Sequence, residues 1–112
     1  MATPIIKDDP LYQMLREGHI EEFNRNHASG TPCDLRGVDL RALDLRKLDA
    51  RGLDLADAYL RQSDLRGLDL SETNLEGASI SGAKISGTLF PKALSPEEIN
   101  LSLVHGTRMR YR

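Results

Sequence analysis

Between Cys33 and Lys92 apolar residues recur with a five-residue period: CDLRG VDLRA LDLRK LDARG LDLAD AYLRQ SDLRG LDLSE TNLEG ASISG AKISG TLFPK. The third position of these twelve units is Leu35, Leu40, Leu45, Ala50, Leu55, Leu60, Leu65, Leu70, Leu75, Ile80, Ile85 and Phe90, apolar without exception. The first position is small or apolar, the second mostly Asp, the fourth often Arg and the fifth often Gly. A period of five fits neither a helix nor a long strand. Positions one and three of a unit are two apart, so in extended backbone they point to the same side. Positions four and five must then turn the chain, and glycine there, as in Gly37, Gly52 and Gly67, suits a turn with positive φ. The pattern predicts short extended pieces and regular turns winding into a coil, with two side chains of each unit facing inward.

These units resemble the A(D/N)LXX pattern of the pentapeptide-repeat proteins over residues 33–92. The resemblance implies a mainly β fold, a short right-handed quadrilateral β-helix with four units to a coil. Twelve units then make about three coils, rising roughly 14 Å at a strand spacing of about 4.8 Å. The third-position residues, from Leu35 to Phe90, form its expected core. One departure is that Leu43, Leu48, Leu53 and Leu68 replace the family's small first residue. Such coils must be wider or must trade volume elsewhere, and Ala50 in the usual Leu position is one such trade.

A short stack leaves backbone and leucine layers open at both ends, so it needs caps. Residues 1–32 are expected to supply a helical cap and linker, and residues 93–112 a second helix and a basic tail, all in one domain. Asp9-Pro10 reads as an N-cap with proline at the first helical position. Leu11, Leu15, Ile20 and Phe23 are that segment's apolar residues, and Gly18 divides it into two helices. Ser95-Pro96-Glu97-Glu98 reads as a capping box opening a helix that runs to about Val104 and stops at Gly106. Ile99 and Leu103 would cover the last coil near Phe90. The tail, Arg108-Met109-Arg110-Tyr111-Arg112, alternates basic and apolar residues. It reads either as a solvated end or as an added strand or partner contact.

Composition narrows the function classes. The 112 residues carry a net charge of −2, which gives no global pull towards nucleic acid or an acidic membrane. No apolar run approaches a membrane span, and the opening MATPIIKDDP lacks the pattern of a signal peptide, so a cytoplasmic location is expected. The single cysteine, Cys33, permits no internal disulfide and sits at an inward repeat position. His19, His27 and His105 share no metal-ligand spacing with it, and no metal or other cofactor is expected. The stretch from Gly77 to Lys84 lacks the Gly-Lys-Ser/Thr ending of a phosphate loop. The second-position Asp residues, often with Arg two places on, read as a solvated charge ladder rather than catalytic carboxylates. No enzymatic activity is expected.

With four units to a coil, the outward charges fall on four sides. The first side holds Asp34, Asp54, Asp57 and Glu76 against Arg36, a net of −3. The second holds Arg41 and Arg61 against Asp39, a net of +1. The third holds Arg46, Arg66, Lys47 and Lys84 against Asp44 and Asp64, a net of +2. The fourth holds Asp49, Asp69 and Glu72 against Arg51 and Lys92, a net of −1. The expected function is a protein-interaction scaffold contacting a protein partner through Arg41, Arg46, Arg61 and Arg66, with Arg108, Arg110 and Arg112 as further contacts. Two alternatives stand beside it. Some family members imitate DNA and bind DNA gyrase, but this chain is nearly neutral, and its coil covers only about four base pairs at about 3.4 Å each. Direct nucleic-acid binding is not expected, except as contact through the tail. The family's gyrase-binding members also dimerise through their C-terminal ends, which implies a self-associating structural protein with a homodimer contact at the C-terminal cap.

Overall fold

The computed structural model describes residues 3–112; Met1 and Ala2, the start of the opening stretch read above for a signal peptide, lie outside them. Parallel bridges join residues twenty apart: Asp39 to Tyr59 to Ser79, Asp44 to Asp64 to Lys84, Asp54 to Asn74, and Asp69 to Leu89. Four five-residue units therefore make one coil. Each ladder contact is an isolated bridge, because a turn follows every few residues and leaves no room for a longer strand. The register is regular: Ser79 N–H donates to the Ala58 carbonyl at 3.0 Å, and Leu60 N–H donates to the Ser79 carbonyl at 2.8 Å.

From the third unit on, each turn closes where a first-position N–H donates to the third-position carbonyl before it, as from Leu48 to Leu45 at 3.1 Å. The residue between them at position five takes a positive φ, as a type II turn demands, except at Glu72. The turn imposes this even without glycine: Ala42, Lys47, Asp57 and Gln62 have φ between 58° and 75°. Position two has its own local reason. The side-chain Oδ1 of Asp39, Asp54, Asp69 and Asn74 accepts the N–H two residues on, at 3.0–3.1 Å. The recurring Asp is therefore a turn-forming residue as well as a surface charge.

The core is a leucine column. Every third-position residue from Leu35 to Ile80 is buried, including Ala50. Ile85 and Phe90, expected in the core, are only partly buried because they lie at the end of the stack with no fourth coil above them. Leu48, Leu53 and Leu68 are buried at the first position, and Leu43 is partly so. Where the first position is polar, its hydroxyl is satisfied within the core: Thr73 donates to the Ala50 carbonyl at 2.6 Å, and Ser63 donates to that of Leu40.

Among the described residues three helices flank the coil: α1 (Pro10–Arg16), α2 (Ile20–Ala28) and α3 (Pro96–His105). Asp9 caps α1 through bonds from the N–H groups of Leu11 and Tyr12, and the break at Gly18 falls between α1 and α2 as expected. Ser95 caps α3, and Gly106 ends it in the left-handed conformation. The capping box is only half made, because the Glu98 side chain turns to Arg110 instead of returning to Ser95. The residues α3 buries are Glu98 and Ser102, whereas Ile99 and Leu103 pack only partly against the core. This corrects the expected covering pair, and the reason is polar. Ser102 lies over an unpaired backbone N–H that an apolar side chain would leave unsatisfied. Among the described residues no helix is long and apolar enough to cross a membrane.

Candidate functional site

The coil exposes different groups at its two ends. At the start of the stack these are the N–H and carbonyl of second-position residues, together with nearby turn carbonyls. The N-terminal segment takes them up. Ile5 pairs as a single parallel bridge with Val38, accepting from Asp39 N–H at 2.9 Å. The Tyr12 hydroxyl donates to the Asp39 carbonyl at 2.7 Å. The Asn24 amide replaces a peptide group, donating to the Lys47 carbonyl at 2.8 Å and accepting from Asp49 N–H at 2.9 Å. His27 Nε2 lies 3.0 Å from the Arg51 carbonyl, and its ring stacks on buried Phe23. These contacts flank Ala50 along the chain, and Phe23 of the same helix is buried in the core.

At the other end the tail is an added edge and not a solvated end. Met109 is fully buried; its N–H donates to the Ala78 carbonyl at 2.9 Å, and its carbonyl accepts from Gly77 at 2.7 Å. The Tyr111 hydroxyl accepts from Leu75 N–H at 2.9 Å, and Ser102 Oγ accepts from Ile80 N–H at 3.0 Å. The tail arginines are placed accordingly. Arg110 pairs with Glu98 at 3.1 Å. Arg108 pairs with Asp57 at 3.2 Å, lies over the Tyr59 ring and donates to its hydroxyl at 2.7 Å. Arg112 is exposed, and its backbone N–H donates to the Ala93 carbonyl at 3.2 Å.

Along the sides, Asp at position two and Arg at position four of one unit form a staple. Arg41 holds Asp39 with two bonds of 2.9 Å, and Arg51 does the same to Asp49 at 3.0 and 2.9 Å. Arg46 and Arg66 grip Asp44 and Asp64 in the same way, and Arg46 also reaches Asp64 on the next coil at 3.3 Å. These guanidinium bonds hold the carboxyls of Asp39, Asp49 and Asp64 down at about 2. The structure thus brings Arg41, Arg46 and Arg66 into fixed pairs. Arg61 differs: its unit carries Tyr59 where the others have Asp, and among the described residues no ion pair reaches it. It lines a cleft of about 460 Å³ with Arg16, Asp39, Arg41, Leu43 and Gln62. Sequence spacing grouped Arg61 with Arg41 but missed Arg16, which comes from a helix outside the repeat.

Cys33 is partly buried, and burial pushes its thiol up from the usual range. Among the described residues no group of three or more His, Cys, Asp or Glu is arranged to hold a metal ion. No curated protein and no solved structure matches the chain. A family model described as pentapeptide repeats, in eight copies, matches residues 33–67 and 54–90. Those spans run together over more than half the sequence, on the same five-residue units that the bridges stack into coils, and the chain belongs to the pentapeptide-repeat family.

Proposed function

We propose that this chain is a non-enzymatic protein-interaction module, a right-handed quadrilateral β-helix whose second and third sides contact a protein partner in the cytoplasm. The observation that carries this reading is the row of Asp–Arg staples. A guanidinium clamped by two bonds has already lost most of its rotamer freedom, so a partner that meets it incurs little further ordering cost. The contact surface comprises Arg41, Arg46, Arg61 and Arg66, with the solvent-facing parts of Arg108, Arg110 and Arg112 as a secondary surface. Affinity capture from native lysate, with bound proteins identified for wild type and for the double variant Arg61→Glu/Arg66→Glu, tests it. A partner lost from the variant is expected; identical sets of bound proteins would overturn the choice of surface.

A second reading, self-association through the C-terminal cap, is favoured by a different observation. The tail and α3 together cover the last coil from Leu75 to Gly82, but the N–H groups of Ile85 and Phe90 have no partner among the described residues. Leu89 and Val104 nearby are 59% and 60% exposed. Light scattering on wild type and Val104→Asp distinguishes the two readings, since a monomer at all concentrations would remove the second.

A further inference from the structure

Arg61 sits one coil above Arg41, fixed there by the bond from Ala42 N–H to the Arg61 carbonyl at 2.8 Å. On the neighbouring third side the equivalent pair, Arg46 and Arg66, is matched by two carboxylates, Asp44 and Asp64. On the second side only Asp39 is present, because Tyr59 occupies the other position. Asp39 is already saturated. It accepts from the Arg41 backbone N–H at 3.0 Å and from the Arg41 side chain twice at 2.9 Å, and it pairs with Arg16 at 3.4 Å. Three arginines against one aspartate leave the cleft with a charge of +2, and among the described residues no carboxylate pairs with the Arg61 guanidinium, which lines the cleft with Gln62.

We infer that the cleft formed by Arg16, Arg41, Arg61 and Gln62 is a docking site for a carboxylate side chain from an acidic segment of a protein partner. The partner supplies the one carboxylate that this unit of the repeat lacks, and the planar guanidinium fork matches it with two bonds. The inference rests on the interaction-module reading and narrows it to one contact. Arg41 keeps only the outer edge of its guanidinium, its Nε and Nη2 being bound to Asp39, so the fork that takes the incoming carboxylate is that of Arg61, with Arg16 and Arg41 adding positive charge beside it.

The test is an NMR titration of the full-length chain with a hexapeptide of glutamates, following the arginine Nε–Hε resonances. A saturable shift at Arg61 is expected, with none at Arg25, which is exposed and outside the cleft. Arg61→Gln should weaken binding by about tenfold or more. Tyr59→Asp, which restores the missing carboxylate, should do the same while leaving Arg61 in place. Unchanged affinity in both variants, or equal shifts at Arg25, would overturn the site. Acetate or phosphate giving the same shift at the same concentration would overturn the acidic segment as occupant in favour of a free anion. Arg61 shifts that depend on protein concentration without peptide would overturn it in favour of a second copy. A flank-dependent partner captured from lysate alongside failure here would leave the module reading standing and remove only this contact.

Discussion

The two ends of the coil meet the same demand by different means. At the first coil, two short helices supply side chains, the Asn24 amide and the Tyr12 hydroxyl, and one extended residue, Ile5, supplies main chain. At the last coil the tail supplies main chain through Met109, while α3 and Tyr111 supply hydroxyls. The first end therefore combines rim caps at Ile5 and Asn24, where water competes, with one buried hydroxyl from Tyr12, whereas the second is held by a buried main-chain anchor. An edge bond shielded from water is costly to lose, because the orphaned group keeps its full desolvation cost. An exposed one is replaced by solvent at little loss.

That contrast can be broken most severely at the anchor. Met109→Ala should destabilise the protein by about 2–5 kcal/mol in a denaturant titration, since a fully buried side chain is removed and the last coil opens. Next come the two side-chain caps taken together. Ser102→Ala leaves the N–H of fully buried Ile80 without an acceptor and should cost about 1–3 kcal/mol, whereas Asn24→Ala on the rim should cost nearer 0.5–1.5 kcal/mol. Equal losses would show that both ends are shielded alike.

Acid sharpens the comparison through one ion pair at each end. Bonds from Arg41 hold the Asp39 carboxyl at about 2, and bonds from Arg110 hold Glu98 below its usual range. The unfolded chain takes up these protons first, so the stability from both pairs is whole above about pH 4–5 and is lost as pH falls towards 2. Asp39→Asn and Arg110→Gln should each flatten that slope when thermal midpoints are measured from pH 6 to 2. The smallest expected effect lies in the turns between the ends. Ala42 has a φ of 58°, so Ala42→Gly should stabilise by about 0.5–1 kcal/mol, relief of the left-handed strain exceeding the entropy lost.

Much of the fold is legible because its causes are local. The alternation within five residues sets which side chains face inward, and the helix caps at Asp9, Ser95 and Gly106 are read from adjacent residues. The turn-forming role of Asp at position two is legible as well in its fixed offset from the turn, although the same residue also reads as a surface charge. Arg61 is the intermediate case. The Tyr59 that leaves it without a carboxylate is plain in the sequence, while the cleft around it depends on α1 delivering Arg16.

The sequence by itself determined a five-residue coil with a leucine column, the family to which it belongs, the start of α1, the break at Gly18, and both ends of α3. Only the tertiary structure decided how the open edges are closed: Ile5 and Asn24 at one end, Ser102, Met109 and Tyr111 at the other. The reason is physical. Periodicity reports dihedral preference and sidedness over a few residues, whereas an edge group is satisfied by whichever distant segment lands on it. Met109 meets Ala78 and Asn24 meets Asp49 across spans that no local pattern encodes.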